Sequence, residues 1–108
     1  HSSSEAVVSQ TQKELEAFNV RVLAIRADVS DPAAVEAMVA RAIERFGHVD
    51  ILVNSAASFR RTPFPEMDLA DWDAVMDTNL RAPFWIARVL APHLRTLGEA
   101  AIVNIADL

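Results

Sequence analysis

Apolar positions along this chain switch between helical and strand-like spacing, and the switches mark an alternating series of elements. From Glu5 to Phe18, Val8, Thr11 (through its methyl group), Leu15 and Phe18 recur at helical spacing, and Asn19 follows where a left-handed cap is tolerated. Val20 to Ala27 is rich in β-formers but carries Arg21 and Arg26, so it is expected at a sheet edge rather than buried on both faces. Ser30-Asp31-Pro32 supplies an N-cap and a first-turn proline for a second helix. Its stripe is Val35, Met38, Val39, Ala42, Ile43 and Phe46, and Gly47 stops it.

The stretch Asp50 to Phe59 is the centre of the pattern. Ile51, Leu52 and Val53 form an apolar run too short for a buried helix, and the run closes in Asn54, small residues and one aromatic. A buried strand opening into a site fits this pattern, because ligands of parallel sheets bind beyond the carboxyl ends of the strands. Pro63 and Pro65 interrupt both kinds of regular structure between Thr62 and Glu66. Asp68, with Asp71 three residues on, caps a long helix to Leu97 that carries Trp72, Val75, Met76, Leu80, Phe84, Ala87, Ala91 and Leu94 on one broad face. Pro83 and Pro92 are the places where it would kink or divide, and Gly98 ends it. Ala100 to Ala106 reads as a second strand buried on both faces. The order helix, strand, helix, strand, helix, strand predicts an α/β fold with a parallel sheet and crossover helices.

The chain has 108 residues, 52% of them hydrophobic, which bounds it at one domain or a part of one. A net charge of −5 and scattered basic residues leave no basic surface for nucleic acid or anionic lipid. The absence of cysteine excludes disulfides and thiolate chemistry, and Ser2 to Ser4 do not resemble a signal peptide, so a cytoplasmic setting is expected. No apolar run has the length of a membrane span. The two glycines are Gly47 and Gly98 and there is no tyrosine, so a Gly-rich phosphate cradle cannot come from these residues.

Several residues could carry chemistry. Asn79 lies on the apolar face of its helix, where a buried amide must be satisfied, either by neighbouring backbone or by an active-site water it holds. Asn54 closes a strand and serves loop backbone or a ligand; Asp28 is a turn residue or accepts from a ligand amine. Asp107 follows a strand directly, at the end where parallel sheets place catalytic groups. Phe59 packs its loop or stacks on a planar ligand, and Arg60-Arg61 reads as a solvated tip. His1, His48 and His93 lack metal-ligand spacing, so no metal is expected, and His48 and His93 read as surface residues near helix ends.

Ala27-Asp28-Val29-Ser30-Asp31, Asp50-Ile51-Leu52-Val53-Asn54, Met76-Asp77-Thr78-Asn79-Leu80 and Ile102-Val103-Asn104-Ile105 together resemble the middle of the short-chain dehydrogenase/reductase family, in its order and approximate spacing. The resemblance implies a partial Rossmann-like doubly wound parallel sheet of three strands and three helices, and a nicotinamide cofactor. It further implies Asp28 and Val29 near the adenine, Asn54, Ser55 and Ala56 along the cofactor, and Asn79 as the Asn of the catalytic tetrad. His1-Ser2-Ser3-Ser4 is similar to the segment that meets the ribose phosphate in NADPH-preferring members, and no acidic residue stands there to favour NAD.

Asn54-Ser55-Ala56-Ala57 occupies the place where the family usually has Asn-Asn-Ala-Gly, and Asp107 occupies that of the usual catalytic Ser. With Ser58-Phe59 and Thr62-Pro63, that Asp resembles the pteridine reductase branch, where an Asp serves in catalysis and a Phe stacks the pterin. The family's Gly-rich turn would precede His1 and its Tyr-x-x-x-Lys would follow Leu108, so residues 1–108 are expected to be the central part of one cofactor-binding domain, inactive or marginally folded alone. The expected function is NADPH-dependent hydride transfer to a C=N or C=O bond of a planar, pterin-like small molecule. The rivals are a generic carbonyl or 3-oxoacyl thioester reductase and a catalytically inactive scaffold. The Asp68 to Leu97 helix resembles the family's subunit-packing helix, which implies a homo-oligomer, a dimer or tetramer.

Overall fold

The computed structural model describes residues 5–55 and 63–105. Helix α1 spans Glu5–Glu16 and α2 spans Pro32–Phe46; strand β1 (Ile51–Asn54) follows, then α3 (Leu69–Met76), α4 (Ala82–Thr96) and strand β2 (Ala101–Asn104). The strands pair in parallel, with Ile51 opposite Ala101 and Asn54 opposite Asn104. The crossover between them is helical, which makes this a partial Rossmann-like α/β fold.

The caps form as the sequence dictates. Asp31 accepts from the Ala33 N–H at 3.1 Å, and Gly47, at φ 86°, donates its N–H to the Ile43 carbonyl. Asp68 and Asp71 form a reciprocal capping box, their side chains accepting from each other's backbone N–H at 2.8 and 3.2 Å. Asn19 takes the left-handed φ of 62° expected of it, although α1 has already ended at Glu16 and Phe18 is exposed. A short 3₁₀ turn, Phe64–Glu66, occupies the proline-interrupted stretch, since Pro65 in a first turn needs no N–H partner.

The core is a helix pair. Val35 and Val39 of α2 are buried against Ile86, Leu90 and Leu94 of α4, with Leu52 of β1, Val29 and Val49 packed at its border. Trp85 also borders it, its indole N–H buried without an acceptor among the described residues. The Val49 N–H donates to Nε2 of His93 at 3.1 Å, which fastens the last turns of α4 to the segment entering β1. His93 is therefore a tertiary hydrogen-bond partner rather than the surface residue expected; His48 is exposed.

Three expectations need correction. Val20 to Ala27 forms no strand, so among the described residues the sheet has two strands and not three. A strand exists only through its ladder, and no chain lies beside this segment to supply one among the described residues. The guanidinium of Arg21, over the Phe46 ring at 5.3 Å, holds it to the end of α2 instead. An open groove of about 500 Å³ separates Ala24 to Ala27 from Glu5, Val8, Ser9 and Gln12 of α1. Strand β2, expected to be buried on both faces, is exposed along its whole length, because among the described residues β1 alone lies beside it and the core cluster reaches the sheet at Leu52.

The long helix is the third. Its core face is Ala82, Ile86, Leu90 and Leu94, whereas Trp72, Leu80 and Phe84 of the expected face are 55 to 65% exposed. The crossover helix is apolar on two sides, and spacing alone does not say which of them meets α2.

Candidate functional site

Strand pairing brings two amides together at the carboxyl rim. Asn54 and Asn104 are register partners, and Nδ2 of Asn54 donates to Oδ1 of Asn104 at 2.8 Å. The Ile105 N–H donates to the Asn54 carbonyl at 2.9 Å, carrying the ladder one step past the strand ends. The two chains thus leave the sheet side by side, one toward Ser55 and the other toward Ile105. Asn54 is half-buried and Ser55 exposed.

Asn79 sits in a π-helical turn, Asp77–Arg81, between α3 and α4. The Ala82 N–H reaches back five residues to the Asp77 carbonyl, the wide spacing that defines such a turn. Pro83 gives a physical reason for it. In an α-helix residue 83 would donate to the carbonyl of Asn79, but proline has no N–H and its ring would strike that carbonyl. The turn widens where the helix would otherwise clash, and Asn79 lies half-buried at its middle. Arg81 Nη1 bridges the turn to Asp77 Oδ1 at 3.5 Å, an exposed pair of small energetic weight.

Asp28 ends the segment after α1. Its Oδ1 accepts from the Ser30 hydroxyl at 2.6 Å and from the Ser30 N–H at 3.0 Å, and its carbonyl accepts from the Asp31 N–H. The turn reading of Asp28 therefore holds, and both side-chain bonds use one oxygen. The Ser30 hydroxyl, and after it the Ser30 N–H, hold the carboxyl below its ordinary value of 3.8. The stability this gives is present above that value and is lost as pH falls through the lowered one. Ser30→Ala is expected to raise the Asp28 pKa toward 3.8, read from its side-chain carboxyl carbon in an NMR pH titration. A titration curve that does not move would show that the hydroxyl bond contributes nothing. Val29, half-buried, packs against the core.

His1, Ser2, Ser3, Ala56, Ser58, Phe59 and Asp107 lie outside the described residues. Of the residues singled out from the sequence, the structure places Asn54, Ser55, Asp28, Val29 and Asn79. The partner that the sequence reading missed is Asn104; it stands 50 residues from Asn54, and its one local signal is that it ends an apolar run as Asn54 does. Among the described residues no group of three or more His, Cys, Asp or Glu could hold a metal, and no helix is long and apolar enough to cross a membrane.

The chemistry of these positions fits a dinucleotide in part. Asp28, exposed, has a second carboxylate oxygen that could accept from an exocyclic amine, and neutral amides at the rim suit ribose hydroxyls and a carboxamide. Nothing among them suits a pyrophosphate, since both glycines end helices.

A parallel strand pair joined by a helical crossover, with polar side chains gathered at its carboxyl rim, defines the Rossmann-like class of α/β proteins. The short chain dehydrogenase family model matches residues 1–107, and the chain belongs to that family. It is 35% identical over 101 residues to 2-dehydro-3-deoxy-D-gluconate 5-dehydrogenase of Escherichia coli, a match covering 93% of this chain and 40% of that protein. It is 34% identical over 105 residues to the 3-oxoacyl-[acyl-carrier-protein] reductase FabG of Staphylococcus aureus, covering 97% of this chain and 41% of the other. Among solved structures, a short chain dehydrogenase from Burkholderia cenocepacia J2315 in complex with NADP superposes with a TM-score of 0.81 at 37% identity, over 87% of this chain and 38% of that one. The chain thus spans about 40% of the length of these relatives.

Proposed function

We propose that this chain is the central part of the cofactor-binding domain of an NADPH-dependent oxidoreductase that delivers hydride to a C=N or C=O bond of a planar, pterin-like small molecule. The observation that carries the reading is the carboxyl rim, where Asn54 and Asn104 end paired parallel strands, together with Asn79 in a widened helical turn. NADPH, when bound, supplies the hydride. Asp28 accepts from the adenine amine beside Val29, while Asn54, Ser55 and Ala56 line the cofactor and His1, Ser2 and Ser3 meet its ribose phosphate. NADP bound to the Burkholderia relative supports NADP over NAD. Asn79 holds the water through which a proton reaches the site. Asp107 orients the substrate or shares that proton, and Ser58 and Phe59 hold the planar ring.

The 3-oxoacyl-[acyl-carrier-protein] reductase among the relatives favours a second reading, reduction of a 3-oxoacyl thioester with Asp107 incidental. Following NADPH oxidation by the native protein through its absorbance, with dihydropterin and acetoacetyl thioester in parallel, separates the two. The dihydropterin rate is expected to be the higher by about tenfold or more, since a site built to hydrogen-bond its substrate rejects one lacking those groups strongly. A dihydropterin rate at background with an active thioester would transfer the assignment to the second reading, and inactivity with both alongside tight folding would favour a scaffold. The exposed Trp72 of α3, Leu80 of the π-helical turn and Phe84 of α4 support a homo-oligomer packed through this crossover. A cytoplasmic setting fits a chain without cysteine.

A further inference from the structure

We infer that Asn104 is a positioning residue for cofactor binding: its side chain latches Asn54, and with it the chain that leaves β1 along the cofactor. The inference rests on the NADPH reading above and adds to it a residue that touches no cofactor atom itself. The amide of Asn54 donates to the Asn104 oxygen at 2.8 Å, and the Ile105 N–H holds the Asn54 carbonyl at 2.9 Å. Side chain and backbone of Asn54 are therefore both tied to the neighbouring strand just where the ladder ends. An asparagine with a free side chain samples several rotamers; one fixed at its amide nitrogen presents its remaining oxygen in one direction. A ligand then meets a polar group already oriented, with less ordering left to offset on binding.

The test is a double-mutant cycle in the native protein, with NADPH affinity read by cofactor fluorescence and folding by thermal unfolding. Asn104→Ala is expected to weaken NADPH binding about three- to tenfold, the range carried by one net hydrogen bond. The loss should fall on the NADPH KM more than on kcat, with the melting temperature within a few degrees (~) of the parent. In an Asn54→Ala background the same substitution should cost less than about twofold, because the latch has nothing left to hold. Asn104→Leu, of similar volume and without an acceptor, replaces alanine should that variant fail to fold. Unchanged affinity in Asn104→Ala, or losses that simply multiply in the double variant, would overturn the latch while leaving the NADPH reading intact. Absence of NADPH binding by the unsubstituted protein is a separate result, and it would overturn that reading and this one with it.

Discussion

Asn79→Ala is expected to lower kcat of the native protein by about a hundredfold or more while its unfolding temperature changes little. General acid–base steps contribute about 10²- to 10⁴-fold to enzymatic rates, and a proton that must travel through a held water loses its route when the holder is truncated. The fold has less reason to respond. Asn79 lies in the one turn of the crossover helix that has already given up α-helical hydrogen bonding, and it is half-buried rather than part of the core. Steady-state kinetics with NADPH, beside a thermal melt of the same preparation, measures both. A kcat within threefold (~) of the parent would remove Asn79 from the proton path, whereas a melt lowered along with the rate would restore its reading as a structural amide.

Leu90→Ala should act in the opposite way, on stability first. Leu90 is 3% exposed, in the middle of the α4 face that meets Val35 and Val39 of α2. Removing buried methyl groups costs the lost transfer energy and leaves a cavity, together about 2–5 kcal/mol for Leu to Ala. Domains are stable by only about 5–15 kcal/mol, so a large share of the native stability would go. Urea unfolding followed by circular dichroism gives the difference directly. Leu80→Ala is the internal contrast, since Leu80 is 61% exposed and an exposed truncation changes a chain's own stability by about half a kcal/mol or less. Equal losses at the two positions would mean that the α2–α4 contact is not the core of the molecule.

What could be read from residue order was whatever is decided locally. Asp31, Pro32 and Gly47 set the limits of α2 because caps act within a turn of themselves, and the Asp68–Asp71 box does the same for α3. What could not be read depends on neighbours distant in the chain. Val20 to Ala27 has strand composition, yet composition supplies no partner for its backbone. The choice between the two apolar sides of α4 is made by α2, and the Asn54–Asn104 bond by strand register. Pro83 lies between these cases: its missing N–H was legible as a point of disturbance, though not that the helix would widen there.

That widening is confined to one turn of the crossover. A π-turn is an α-helix that has absorbed one surplus residue without rotating the stretches before and after it. Removing one residue from Asp77–Arg81 would not straighten the crossover, because Pro83 would still lack an N–H for the carbonyl four residues before it and its ring would still strike that carbonyl. The irregular turn ends at Arg81 and the buried side chains of α4 begin at Ala82, so the widened turn and the helix-pair core are separate parts of one crossover.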